Sequence, residues 1–167
     1  MGVKSIMRKP LILAGALTVG ALSALAMYPD VISGHARVVD GDTIVIKGLH
    51  IRLFGIDAPE IGQMCGQFSQ CGELAKYFLK RMVRDKAVRC VRRGMDAYHR
   101  IIATCSTYDY GDLGEEMVLN GQAVAYRYYS NRYTSQEDEA RADNRGIWST
   151  QFDMPWVWRQ EHRSSQE

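Results

Sequence analysis

Asp40, Asp42, Arg52, Asp57 and Glu60 fall within one short stretch, Val38–Glu60, of sequence VVDGDTIVIKGLHIRLFGIDAPE. The stretch is otherwise apolar and β-branched. Carboxylates and a guanidinium are costly to place beside an apolar core unless something compensates them. Four acidic groups around one arginine suit a hard cation and a phosphate. Asp42 follows a turn and Asp57 ends a strand, so adjacent strands can bring both to one ion. Both are oxygen donors, with no nearby cysteine or histidine, which favours Ca2+ or Mg2+ over zinc. Turn chemistry alone explains Asp40 and is the competing explanation for Asp42 and Asp57. Arg52 stands between Ile51 and Leu53. In an unbroken strand it and Asp57 face opposite ways, because their separation is odd. They can share a site only if the strand bends, and Gly55 is the residue that permits it. A structural ion pair with Asp57 or Glu60 is the plainer alternative. Glu60 follows Pro59 with no capping role, and a carboxylate there could orient or deprotonate a water. Farther on, Arg100 follows Asp96, Tyr98 and His99. A guanidinium can grip a phosphate with two parallel hydrogen bonds, although Arg100 alone is an ordinary loop arginine.

These residues need strands to hold them. His35–Val39 and Thr43–Ile46 read as a hairpin around Asp40-Gly41, a pair suited to a type I′ turn with positive φ at both central positions. Lys47-Gly48-Leu49 turns again into His50–Ile56, and Pro59 ends that ladder. Gly62–Gly72 is loop. Glu73–Val83 has helical spacing through Leu74, Tyr77, Phe78, Arg81 and Met82. Ala87–Val91 and Ile101–Ser106 read as strands joined by Arg92–Arg100. Asp112 is placed to cap a short helix, with Glu115 at the capping-box position and Gly121 as its stop. Ala123–Tyr129 is expected as a last strand. Thr134 and Glu137 suggest the start of a third helix, ended by Gly146. Five short strands with interleaved helices predict an α+β fold built on a small closed barrel.

The first 26 residues look like a targeting segment. Lys4, Arg8 and Lys9 precede an apolar run over Leu11–Met27, and Ala24-Leu25-Ala26 fits signal peptidase. A cleaved signal peptide is favoured, with an N-terminal membrane anchor as the alternative. The run is short for a membrane span of roughly 20 residues. Residues 27–34 read as a mobile lead-in, 35–150 as one domain, and 151–167 as a tail. In the tail, Pro155-Trp156-Val157-Trp158-Arg159 packs back before a polar end. The whole chain carries +2, and losing Lys4, Arg8 and Lys9 brings it to −1. Net charge therefore leaves no nucleic-acid footprint. A local one exists at Lys80, Arg81, Arg84, Lys86, Arg89, Arg92 and Arg93, with a solvated face or a helix-dipole role as the plain readings. The four cysteines, Cys65, Cys71, Cys90 and Cys105, are an even count behind an export signal and read as disulfides. Three pairings are possible. Cys65–Cys71, closing a tight loop, and Cys90–Cys105, tying two strands, are preferred. The spacing is poor for zinc.

Four motifs in order carry a resemblance: Val39-Asp-Gly-Asp-Thr43, Ile51-Arg-Leu-x-Gly-Ile-Asp-Ala-Pro-Glu60, Asp96-x-Tyr-x-Arg100 and Gly146-Ile-Trp148. Together, over His35 to Trp148, the chain resembles the staphylococcal nuclease (thermonuclease) family of exported bacterial type. The resemblance implies a five-stranded OB-like β-barrel with three helices, and a monomeric Ca2+-dependent phosphodiesterase acting on DNA, RNA or both. It implies Asp42, Asp57 and the Ala58 backbone carbonyl as metal ligands, with alanine where threonine is common. It implies Glu60 beside the attacking water, Arg52 and Arg100 on the phosphate, and Tyr98, Tyr126 and Tyr128 on the nucleotide. His99 departs from the family, where glycine usually precedes the arginine. The location implied is extracytoplasmic, periplasmic or secreted, or anchored through residues 11–27. The competing class is a non-catalytic nucleic-acid-binding barrel, which needs basic and aromatic surface but not the acidic set.

Overall fold

The structure is a computed structural model and describes residues 29–67 and 69–163. The expected signal or anchor lies outside the described residues. Among these, no helix is long and apolar enough to cross a membrane.

The main sheet has six strands in the order β1-β6-β7-β4-β3-β2. They are β1 (Val31–His35), β2 (Arg37–Val38), β3 (Thr43–Ile46), β4 (Leu49–Leu53), β6 (Ala87–Met95) and β7 (Ile101–Ser106). All neighbours are antiparallel except β4 and β7, which run parallel. β1 also lies near β3, so the sheet curls into a half-barrel. Two short segments, β5 (Ile56–Asp57) and β8 (Val124–Ala125), pair beside it. The helices are α1 (Cys71–Val83), α2 (Leu113–Leu119), α3 (Thr134–Ala142) and α4 (Pro155–Arg163), with a 3-10 turn at Gly146–Ser149. The α+β, OB-like architecture matches expectation, with one helix more among the described residues.

Local departures have local causes. The expected lead-in holds all of β1 but His35, and that strand pairs with β6 and buries Ile32. Neither Asp40 nor Gly41 takes positive φ, so that turn is not type I′. Instead Asp40 Oδ1 accepts a hydrogen bond from the Asp42 N–H at 3.0 Å, an Asx turn. Positive φ at both positions occurs at Lys47 (52°) and Gly48 (80°), the two-residue loop joining β3 and β4. The α1 face is rotated from the expected one. Ala75, Leu79 and Met82 are buried, whereas Leu74 and Tyr77 are 52% and 61% exposed. The small Ala75 packs against the turn at Gly41, where an added Cβ would come within 2.8 Å of its own. The last strand stops at Ala125, and Tyr126–Ser130 forms a turn through bonds from the Tyr129 and Ser130 N–H groups to the Tyr126 carbonyl.

The main core joins Ile44, Ile46, Ile51 and Leu53 of the sheet to Leu79 of α1 and Met117 of α2. A second cluster gathers Cys65, Cys71, Val124 and Ile147 beneath Trp148, Phe152, Met154 and Trp156. Both disulfides are the preferred pairs, Cys65–Cys71 and Cys90–Cys105. The second links residues directly opposite in β6 and β7.

Candidate active site

The site begins where β4 breaks. Arg52 sits opposite Thr43 in the β3–β4 ladder, one residue from Asp42. After Leu53 the chain bends through Gly55, whose φ is +76°. A side chain there would also meet the Tyr133 ring at 3.1 Å. The bend carries Ile56 and Asp57 off the main sheet onto β8. The odd separation of Arg52 and Asp57 is thereby overcome, and both reach one place.

Arg52 bridges the two buried aspartates. Its Nη1 donates to Asp42 Oδ1 at 2.7 Å and its Nη2 to Asp57 Oδ1 at 2.6 Å. Asp42 Oδ1 also accepts from the Thr43 hydroxyl, and its Oδ2 from the Ala58 N–H at 3.2 Å. Asp42 is 4% exposed and Asp57 fully buried. Burial lowers the Arg52 pKa, but Asp42 and Asp57 outweigh it and hold the guanidinium charged. Burial, then the Asp42 charge, pushes Asp40 up to about 6.

Glu60 stands at the rim. Its loop is fixed by the buried Gln63, whose Oε1 accepts from the Glu60 N–H at 3.0 Å. Gln63 Nε2 donates to the Asp153 carbonyl at 2.7 Å and so ties this loop to the tail. The first turn of α1 abuts the same loop. A Cβ on Gly72 would lie 1.8 Å from the Glu60 carbonyl oxygen, so only glycine allows this approach.

Arg100 comes from the β6–β7 connection. The Asp96 side chain organises that loop, accepting from the Tyr98 and Arg100 N–H groups, each at 2.9 Å, and from Arg100 Nε at 2.7 Å. His99 adopts φ +61°, the left-handed region that glycine enters without strain. The Arg100 guanidinium lies 5.6 Å from the centre of the Tyr98 ring.

One cleft of about 1050 Å³ collects Arg52, Glu60 and Arg100 with Tyr98, Tyr126 and Tyr129. Asp42 and Asp57 lie beneath it, bonded to Arg52. Tyr128 is exposed and packs edge-on against Tyr129, with ring centres 4.9 Å apart. Of the basic cluster over Lys80–Arg93, Arg93 reaches this cleft. A strand over Ala123–Tyr129 would turn Tyr129 away from Tyr126 and Tyr128; the turn after Ala125 instead brings Tyr129 to the cleft.

The larger omission is Arg159. It projects from α4, the helix made by the PWVWR tail. Its Nη1 donates to Asp57 Oδ1 at 3.0 Å and to Glu60 Oε1 at 2.6 Å, and its Nη2 to Asp57 Oδ2 at 2.8 Å. Burial lowers its pKa, but Asp57 and then Glu60 raise it more. Asp42, Asp57 and Glu60 are thus bridged by two guanidiniums. In the sequence the two tryptophans signal only that the tail packs back; the partner of Arg159 lies about a hundred residues away.

The chain has relatives among known proteins. The family model for staphylococcal nuclease homologues matches residues 50–150. A succinoglycan biosynthesis protein, ExoI, of Rhizobium meliloti (strain 1021) is 35% identical over 151 residues, covering 83% of this chain and 78% of the relative. An uncharacterized endonuclease of Haemophilus influenzae is 34% identical, covering 76% and 72%. Another, of Escherichia coli, is 35% identical, covering 74% and 81%. By the span of the family match and the extent of these alignments, the chain belongs to the staphylococcal nuclease family.

Proposed function

We propose that the chain is a calcium-dependent phosphodiesterase that hydrolyses DNA, RNA or both. That it is a nucleic-acid hydrolase follows from its family and from relatives named endonucleases. The observation that carries the finer reading is the pair of buried aspartates bridged by Arg52, with Glu60 and Arg100 on the wall of the same cleft. A binding module would need the aromatic and basic surface, but not two carboxylates buried at a cost beneath it.

The donor chemistry suits a hard cation. Asp42 and Asp57 offer carboxylate oxygens, and the Ala58 carbonyl is a third candidate. Among the described residues no three of His, Cys, Asp and Glu are grouped so as to hold a metal ion by themselves. The remaining positions would fall to water and substrate. When bound, the ion supplies Lewis-acid polarisation of a phosphate oxygen. Arg52 and Arg100 hold the phosphate and stabilise the charge that grows on it. Glu60 orients the attacking water and accepts its proton. Tyr98 and Tyr126 flank the nucleotide from the cleft wall, Tyr128 reaches it from the rim where it packs on Tyr129, and the chain acts as a monomer.

We place this activity outside the cytoplasm, secreted, periplasmic or anchored through residues 11–27. The pairing of all four cysteines supports that placement. The catalytic roles are tested by purified Glu60→Gln, Arg100→Ala and Arg52→Lys variants. Each is expected to lower turnover by roughly 10²- to 10³-fold, the usual effect of losing a proton acceptor or an oriented charge-stabilising donor, which for Arg52→Lys is the two-point guanidinium grip. Cleavage at the native rate by all three would refute the assignment.

A further inference from the structure

Arg159 lies in the Pro155–Arg159 tail, which resembles that of exported members of the family, and outside the four motifs that supply the other residues of this charged cluster. Asp57 is fully buried, and both its oxygens accept from Arg159. The same guanidinium reaches Glu60 at 2.6 Å. The helix that delivers it is docked independently of the ion pair. Trp156 packs on Tyr126, with ring centres 5.8 Å apart, and Gln63 holds the Asp153 carbonyl just before α4.

We propose that Arg159 is a positioning residue that occupies Asp57 in place of the divalent cation and exchanges with it. The proposal rests on the calcium reading above. A buried carboxylate without a counter-charge is strongly disfavoured. Arg159 therefore offsets the Asp57 charge and holds Asp57 and Glu60 in register before any cation arrives. The same contact opposes the cation. A dication on Asp57 would need oxygens that Arg159 already uses, and it would meet a like charge in a site where screening is weak. Arg52 faces Asp57 through a single oxygen, whereas Arg159 takes both. Asp57 Oδ2 is held by Arg159 and not by Arg52, so uptake of the cation on that oxygen requires Arg159 to yield it.

Calcium titration calorimetry on the purified full-length chain, without substrate, tests this. Arg159→Gln removes the competing charge and keeps a polar side chain. Its Ca2+ Kd is expected to fall by roughly tenfold, within the usual range of coupling between sites. A merely structural arginine would have the opposite effect, because loosening α4 would disorder Asp57 and Glu60 and weaken binding. An unchanged or weaker Kd would overturn the proposal while leaving the calcium reading intact. Absence of Ca2+ binding by both native and variant chains would overturn the calcium reading and this proposal with it. Should Arg159→Gln fail to fold, Arg159→Lys keeps the charge but loses the two-point grip. Its Kd is expected to fall by a smaller factor, and a native Kd there would equally overturn the proposal.

Discussion

Arg52 has a structural task as well as a chemical one. It neutralises two aspartates that are 4% and 0% exposed. Truncating it leaves buried carboxylates short of donors, a loss of about 3–5 kcal/mol for a buried pair. Arg52→Ala is therefore expected to lower both turnover and the unfolding midpoint, whereas Arg100→Ala, whose partner Asp96 is nearer solvent, should lower turnover with little change in stability. Chemical denaturation of the two variants side by side separates the effects. Asp96 links Arg100 to pH. Burial raises its pKa, but hydrogen bonds from the Arg100 backbone and side chain, the Arg100 charge and the Tyr98 N–H outweigh it, so the net shift is downward from 3.8. A depressed carboxyl pKa stabilises the fold fully above the ordinary carboxylate range. That contribution is lost as pH falls through the depressed folded value. The stability difference between native chain and Asp96→Asn should thus be constant near neutrality and shrink only in acid. A difference that vanishes on raising the pH instead would contradict the assignment.

At the level of elements, two close contacts aim the reacting groups. Gly72 lets α1 press on the Glu60 loop, and Gly55 lets β4 break so that Asp57 meets Arg52. Gly72→Ala must push Glu60 or α1 aside, since its Cβ would lie 1.8 Å from a backbone oxygen. A shift on the order of 1 Å in a catalytic group can cost about 10²-fold. The variant is expected to show that loss in turnover, and native turnover would contradict the role given to this contact. The Gly55 bend was legible in the sequence because Arg52 and Asp57 have an odd separation that demands one. The Asp112 cap was legible too, and its Oδ1 accepts from the Gly114 N–H at 3.0 Å. The Asp40-Gly41 turn type was not, since the Asp40 side chain replaces the backbone geometry that the dipeptide suggests. Nor was the α1 face, because alanine is a weak hydrophobic signal and the decision lies with the packed sheet. The role of Arg159 was hidden for a different reason. Its contacts at Asp57 and Glu60 are tertiary, and no local pattern encodes them.

For the whole molecule, the half-barrel, the disulfides and the tail act as one clamp around the cleft. Cys90–Cys105 staples β6 to β7, the pair whose connection presents Arg100, across a separation of 15 residues. Replacing both cysteines by alanine is expected to cost about 3 kcal/mol, the entropic value for a loop of that size. Thermal unfolding under oxidising conditions should show the drop in midpoint, and an unchanged midpoint would deny the staple its role. The tail closes the opposite side through Trp156 on Tyr126 and Arg159 on Asp57 and Glu60. This clamped, charge-compensated cleft is expected to cleave nucleic acid with calcium. The direct measurement incubates the purified chain with DNA and with RNA, adds Ca2+, and then adds chelator in excess. The prediction is cleavage of at least one polymer that begins with Ca2+ and stops on chelation. Binding without cleavage, or cleavage at the same rate after chelation, would contradict it.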